Sequence, residues 1–494
     1  MKGLRRIMLL RILLFSAATL LTIVSGFILV RRLDQLSYAA YQSLNKRASM
    51  IVLSVYVLYS LWIYRDVVAG RPGVYTAGLL LGVVSGAGVG LLGGATVYGL
   101  TGSLAGGLLA FAAVLFYSLW VNTGNMLDAL RPVRIGVSRL LTRLLYSTLI
   151  VVTVYLLHLQ LAGALASLSL GYAAGLVLNV YWMRGRIPRS GLGDAVRLIV
   201  RVWAPRAKAS MYMFLRSLLL SLDVFILLPL AGPVLVAAYF AYRIVSGMVY
   251  DAFNSAFSVL HRAGLKGSEL SRLLKALRLA MAFPVVVLVY SAVYRVHVAY
   301  LVGTRYLWAS PALILVNAAA LVNLLHSGLT NAVLGFVREE SVEEEGRIIG
   351  WMSKLFLYPA IFYILATLAA GLLSWLGVLD TYRTLIFWLA GALVSRVLDH
   401  VVIPLLPSRV EGLSYKVMVR EAYVPVGLYI VLALIASLAA PPPGTPAARF
   451  IAEALKLGVG GLEALAIYGL LLLVFDADMR GLLGSVLRAG LRRA

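Results

Sequence analysis

The side chains with the most chemical potential in this sequence are ionisable groups set inside long apolar stretches: Arg243, Asp223, Arg216, Arg11 and the pair Lys46-Arg47. An ionised group in hydrocarbon costs at least about 2.5–3.5 kcal/mol, so one that persists there faces water, a partner or a ligand. Arg243 lies about 14 Å into its apolar stretch at 1.5 Å per residue, near mid-depth and too deep for its head to reach the surface easily. Asp223 lies about 10 Å below the same surface on the preceding stretch. Two readings follow from matched depth and opposite charge: a structural ion pair, or a switch in which a substrate or cation competes for one partner. Arg216 stands two turns before Asp223 on about the same face, placed either to snorkel or to line a cavity. Arg11, only a few residues into its stretch, reads as a snorkelling side chain. Asn122 and Asn125 share one side of a helix, as do Asn323 and His326; such groups join helices by hydrogen bonds or mark a cavity. Arg396 and Asp399, three residues apart, are spaced to pair. Arginines set deep among few acids point to an anionic substrate, because guanidinium grips phosphate through paired hydrogen bonds. A phosphate-bearing lipid or sugar compound fits better than a cationic drug.

Other chemistries find no foothold. There is no G-x-x-x-x-G-K-[ST] to cradle nucleotide phosphates and no H-E-x-x-H to hold zinc. Asp476-Ala-Asp478 imitates a sugar-nucleotide motif but follows the last apolar stretch, where it reads as a solvated helix end. Cysteine is absent, which removes thiol chemistry and disulfides. No connecting segment is long enough for a soluble catalytic domain. The expectation is a non-enzymatic protein with no cofactor and no metal.

The elements that must carry these residues are membrane helices. The 494 residues are 62% hydrophobic and 13% charged with mean hydropathy +0.93, against about 45–50% and about 25% for a soluble domain. Apolar runs near the length needed to cross a bilayer core recur between short basic loops; they are too long and unbroken for barrel strands. The pattern predicts an all-α polytopic membrane protein with about fourteen spans: 8–30, 37–64, 74–97, 103–127, 137–157, 160–183, 209–230, 234–259, 277–300, 306–336, 350–377, 383–406, 422–440 and 455–475. Met1–Arg6 is basic and runs into the first span with no cleavage site, so it reads as part of a retained helix.

With the N-terminus inside, the inner segments and their flanking turns carry 30 of the 44 Lys and Arg, and the outer ones 9. Basic residues accumulate on the cytoplasmic side, which places both termini in the cytoplasm. The net charge of +24 is then topology and contact with anionic lipid, not nucleic-acid binding. The longest inner connector, 184–208, carries Asp194, Arg197 and Arg201 on one helical face and Leu192, Val196, Ile199, Val200 and Trp203 on the other. That amphipathic pattern predicts a helix lying in the interface plane.

FILVRRLDQLSYAAY at Phe27–Tyr41 and FILLPLAGPVLVAAY at Phe225–Tyr239 share Phe-Ile-Leu and Ala-Ala-Tyr at a constant offset of 198 residues. Both blocks cross from an odd-numbered span into the next, so they run the same way through the membrane. A parallel repeat of six-helix halves follows. The predicted organisation is an N-lobe at 1–183, an amphipathic linker at 184–208, a C-lobe at 209–406, and a C-terminal helix pair with its tail at 407–494. The linker around Pro441–Pro446 is expected to hold that last pair apart on the outer face.

Three stretches resemble the polysaccharide flippase family of the multidrug/oligosaccharidyl-lipid/polysaccharide exporter superfamily: SGFILVRRLDQLSYAAYQSL, SLDVFILLPLAGPVLVAAYFAYRIVSG, and YLVGTRYLWASPALILV with Gly303, Tyr306 and Ala309. Together they cover the first ten spans loosely. The resemblance implies a transporter working by alternating access that carries a polyprenyl-(di)phosphate-linked oligosaccharide from the cytoplasmic to the outer leaflet of the plasma membrane. The alternative within the superfamily is a cation-coupled multidrug exporter. By resemblance to the related lipid II flippases, basic cavity residues fall at Arg11, Lys46 or Arg47, and Arg243. Arg216, Asn122 and Asn125 are further candidate substrate contacts from their depth and helix faces alone. Asp223 matches the acid of a cation site, for Na+ or H+. Span 11 has no Asn or Asp to complete a sodium site of that kind, and Asp34-Gln35-Leu36 replaces the usual Gly-Pro before the second-helix Tyr. The implied partners are the lipid-linked oligosaccharide and membrane lipids, and the implied state is a monomer.

Overall fold

The computed structural model describes residues 2–185, 191–265, 268–335, 342–408, 413–447 and 449–481. All regular structure among them is helical. In chain order the helices are α1 (Lys2–Arg32), α2 (Gln35–Gln42), α3 (Ser49–Val57), α4 (Ser60–Val68), α5 (Val74–Thr101), α6 (Leu104–Leu130), α7 (Pro132–Ile150), α8 (Gln160–Met183), α9 (Leu192–Leu198), α10 (Ala204–Leu219), α11 (Asp223–Ala231), α12 (Pro233–Leu265), α13 (Leu270–Val293), α14 (Arg295–Val302), α15 (Ala312–Leu334), α16 (Val342–Leu355), α17 (Leu357–Trp375), α18 (Thr381–Val402), α19 (Tyr415–Met418), α20 (Val424–Ala439) and α21 (Phe450–Phe475). Short π-helical or 3₁₀ turns join several of them.

Among the described residues, 12 helices are long and apolar enough to cross a membrane. They coincide with the third to fourteenth spans expected from sequence. The first span falls on α1, where the side chains of the opening turns lie outside the described part. The second is not one helix. A π-helical turn at Ser43–Ala48 and a turn at Leu58 and Tyr59 divide it into α2, α3 and α4. Asn125 of α6 donates to the Ser60 carbonyl at the second break, so a half-buried amide supplies a partner where the helix ladder is interrupted. Span 7 is likewise two helices, α10 and α11, and span 11 is α16 and α17. Pro359 lies in the first turn of α17 and lacks the N–H that would continue the ladder.

The helices group into two compact units, Met1–Ile244 with Arg338–Val402, and Val245–Val337 with Ile403–Ala494. In the first, α5 and α6 pack backbone to backbone. Gly78, Gly82, Gly86, Gly90 and Gly94 recur every fourth residue on one face of α5. A Cβ at Gly94 would stand 2.8 Å from the carbonyl oxygen of Gly107. Small residues at this spacing let membrane helices approach closely enough for dispersion contacts to hold them.

The connector after α8 forms α9 and a π-helical turn into α10. Its buried face consists of Ala195, Leu198 and Trp203 packed on Tyr59, Trp62, Ile63 and Met126. Trp203 donates its indole N–H to Asp66 at 2.8 Å. Leu192, Val196 and Val200, expected beside Trp203, are exposed. The helix therefore has an apolar stripe toward protein and a second one left outside. The cause is Trp203, whose hydrogen bond to Asp66 fixes the rotation.

In the second unit, α13 packs on α15 and α20, and α14 on α21. Asp476 and Asp478 are not the solvated helix end expected from sequence. Arg278 of α13 reaches Asp476 Oδ1 at 2.9 Å and also Asp478, and Tyr429 of α20 donates to Asp476, which is 6% exposed. The position just past an apolar run looked wet, but α13 and α20 carry a cation and a hydroxyl to it. At the other end of α21, Glu453 pairs with His297 of α14 at 2.6 Å and accepts the Ala447 N–H at 2.6 Å. The proline-rich linker does not hold α20 and α21 apart: the helices are in contact, and Pro442 lies against Gly460.

Gly94→Leu is expected to lower stability by about 1–3 kcal/mol through overpacking against the Gly107 backbone. Gly88→Leu, with nothing within 4 Å of its Cβ, is the control. A thermal melt of both in detergent checks this; equal melting temperatures would remove close α5–α6 packing as the cause.

Candidate functional site

The break in span 7 builds the site. The α10 ladder tightens at its end, with Ser221 N–H bonded to the Leu218 carbonyl at 2.9 Å and Leu222 N–H to Leu219 at 3.3 Å. The Ser221 hydroxyl turns back to the Ser217 carbonyl at 2.6 Å. The helix restarts at Asp223, so a carboxylate occupies the first position of α11, inside a membrane span. A helix N-terminus presents N–H groups and positive partial charge, which favour an anion there. Discontinuous helices at this depth are where transporters hold ions and substrates.

Asp223 is fully buried. Its Oδ1 accepts the Val224 N–H at 2.7 Å. Its Oδ2 accepts a short hydrogen bond from the Tyr363 hydroxyl of α17. Trp388 of α18, also fully buried, donates its indole N–H to the Tyr363 oxygen at 3.2 Å. The Trp388 ring lies 4.4 Å from that of Tyr239 on α12. Tyr239 in turn accepts from Arg243 Nη1 at 2.8 Å, and the Arg243 guanidinium sits 5.6 Å from the Tyr239 ring centroid. Asp223 and Arg243 thus belong to one chain of contacts running through Tyr363, Trp388 and Tyr239.

The same helices carry the other arginine. Arg216 Nη2 donates to Asp399 Oδ2 of α18 at 3.0 Å, and Arg396 shares that oxygen at 3.3 Å. The expected Arg396–Asp399 pair exists and gains Arg216 as a third member. On α10 one residue further on, Ser217 accepts a hydrogen bond from Ser54 of α3 at 2.8 Å, joining span 7 to span 2.

The asparagines stand elsewhere. Asn122 is fully buried, donates to the Ser118 carbonyl of its own helix at 2.8 Å and packs against Gly82 of α5. Asn125 is bound to Ser60. Arg11 lies in α1, and Lys46 and Arg47 in the π-helical turn after α2; their side chains lie outside the described part. The repeated blocks each cross a helix junction, α1 to α2 and α11 to α12, and Ala39, Ala40 and Tyr41 are buried, as are Ala237, Ala238 and Tyr239.

Sequence reasoning did not find Tyr363 and Trp388. Both look like ordinary aromatics in apolar helices; their polar ends matter only because α17 and α18 bring them to Asp223. Among the described residues, no three His, Asp or Glu side chains gather as metal ligands would.

Neither a family model nor a curated protein matches the sequence. Solved structures do. A eukaryotic MATE transporter, AtDTX14, aligns with TM-score 0.57 at 16% identity, covering 86% of this chain and 98% of its own. A MATE in complex with MaD3S aligns with TM-score 0.51 at 15% identity, over 82% and 97% of the two chains. An outward-facing multidrug resistance MATE family transporter of the MOP superfamily aligns with TM-score 0.50 at 15% identity, over 82% and 96%. At such identities the fold is what is shared. The chain is a multi-pass membrane protein with a MATE-like fold of two lobes of six helices.

Tyr363→Phe removes the donor to a fully buried carboxylate and is expected to cost about 1–3 kcal/mol. Because both groups belong to one bond, Tyr363→Phe with Asp223→Asn should cost less than the two single changes added together, by at least about 0.5 kcal/mol. Denaturation of the four proteins in one detergent measures the coupling; strict additivity would separate the two residues.

Proposed function

We propose that the protein is a flippase that moves a polyprenyl-(di)phosphate-linked oligosaccharide from the cytoplasmic to the outer leaflet of the plasma membrane by alternating access. The MATE-like fold supports transport as the activity. The observation that carries the choice of cargo is the pair of arginines inside broken or adjoining spans: Arg216 on α10 and Arg243 on α12. Guanidinium in a membrane-spanning segment is costly unless it meets an anion, and the phosphate of a lipid-linked sugar is an anion that enters from the bilayer with its tail left in the lipid. Arg243 and Arg216 are assigned to the phosphate, with Lys46, Arg47 and Arg11 as further basic contacts and Asn122 and Asn125 as polar ones. Two six-helix halves, 1–183 and 209–406, carry the alternation, and 407–494 is an added helix pair. The bias of basic residues sets both termini in the cytoplasm.

Asp223 is assigned to ion coupling. Both of its oxygens face hydrogen donors, the Val224 N–H and the Tyr363 hydroxyl. A carboxylate buried inside a span is a place where a coupling cation, Na+ or H+, can be exchanged. The same buried acid favours the second reading, a cation-coupled exporter of drugs.

A leaflet assay separates the two. In proteoliposomes holding a labelled lipid-linked oligosaccharide, the wild-type chain should move label between leaflets, and Arg243→Ala should slow it by about tenfold or more, the equivalent of a lost charge-assisted hydrogen bond. Unchanged movement in Arg243→Ala would remove its role. Absence of lipid movement together with efflux of a cationic dye that Asp223→Asn abolishes would replace the flippase with the exporter.

A further inference from the structure

A second group of charges lies beside the Asp223 chain, and among the described residues it holds two cations and one acid. Asp399 is 1% exposed, and one of its oxygens accepts from both Arg216 and Arg396, each 21% exposed. Two guanidiniums therefore share one carboxylate. Arg216 also lies over the Phe356 ring at 5.6 Å, and its Nε is buried with no hydrogen-bond partner. The elements around the group add no described acid. On α18 the next residue is His400. On α16, which packs against α10, Arg347 and Lys354 are exposed, and the side chains of Glu343, Glu344 and Glu345 lie outside the described part.

Both helices are apolar enough to span a membrane, over Ser210–Ala231 and Thr381–Leu406. Arg216 is six residues into the first of these, about 9 Å at 1.5 Å per residue. The exposed residues close by in sequence are Tyr212 and Leu215 on α10, and Val397 and Val401 on α18. The partly open guanidiniums thus stand on helix stretches whose exposed residues are apolar or aromatic, where an uncompensated cation is costly.

We propose that Arg216 and Arg396 form a seat for the phosphate group of a membrane lipid, with Asp399 holding the two guanidiniums together until the phosphate arrives. This deepens the flippase reading, on which it rests for the kind of ligand, by adding Arg396 as a second phosphate contact and Asp399 as the counter-ion that gives way. The two guanidiniums already converge on one acceptor oxygen, the arrangement in which a single phosphate is gripped from two sides. A phosphate carries the additional negative charge that the group lacks. The apolar rim of Tyr212, Leu215, Val397 and Val401 selects a phosphate that brings its own hydrocarbon, so inorganic phosphate is the weaker ligand.

The test is binding of farnesyl phosphate to the purified full-length protein in neutral detergent, with farnesol and inorganic phosphate as the comparison probes. Farnesyl phosphate should bind at least about tenfold tighter than either. Arg396→Gln, which leaves the Arg216–Asp399 pair in place, should weaken it about tenfold with an unchanged melting temperature. Asp399→Asn should keep or raise the affinity, because it removes a competitor for the arginines. Equal binding by wild type and Arg396→Gln overturns the seat, as does an Asp399→Asn protein that is folded but binds less. Inorganic phosphate binding as tightly as farnesyl phosphate overturns the lipid assignment. Arginine-dependent binding in a protein that fails the leaflet assay would sustain the seat and defeat flipping; flipping with unaltered binding in Arg396→Gln would do the reverse.

Discussion

A carboxylate buried at the start of a helix, inside a membrane span, is the constraint around which this protein is arranged. An acid in such surroundings needs hydrogen-bond partners. The chain supplies them by interrupting span 7, so that the Val224 N–H meets one oxygen, and by setting the Tyr363 hydroxyl on the other. Each consequence propagates. Tyr363 requires α17 to begin at a Pro-assisted break, and Ser395 of α18 ties down the Pro359 carbonyl at 2.7 Å. Trp388 then connects this acid to Tyr239 and Arg243 on α12. Asp223 and Arg243, on different helices, are thus joined through a continuous series of packed and hydrogen-bonded groups.

The arginines follow a related logic. A guanidinium in apolar surroundings persists when an anion or an aromatic face accompanies it. Arg243 has Tyr239; Arg216 has Asp399 and Phe356. Two cations converging on one carboxylate differ in kind from the clasp of Arg278 and Lys275 with Asp476 and Asp478, where two cations meet two acids and Tyr429 completes Asp476. That matched group fastens α13, α20 and α21 together.

Much of the fold was legible because lipid permits so few solutions. Apolar length located the spans, and the block at Phe27–Tyr41 repeated at Phe225–Tyr239 crosses a helix junction in both places. Individual charges at depth, Asp223, Arg243 and Arg216, could be singled out because each is expensive where it stands. What stayed hidden depends on neighbours distant in the chain. Nothing in Leu220-Ser221-Leu222 announces a break, since neither Gly nor Pro is present; the acid that follows and its partner on α17 account for it. Tyr363 and Trp388 are unremarkable aromatics until 140 and 165 residues of chain return them to Asp223. Asp476 looked solvated because its cation, Arg278, lies 198 residues earlier.

The most direct measurement is hydrogen–deuterium exchange of the backbone across 216–231, for wild type and Asp223→Asn in lipid nanodiscs. If the Asp223 carboxylate anchors the break, wild type exchanges slowly there and Asp223→Asn exchanges faster. Equal exchange in the two proteins would contradict a role for the Asp223 carboxylate in holding the start of α11.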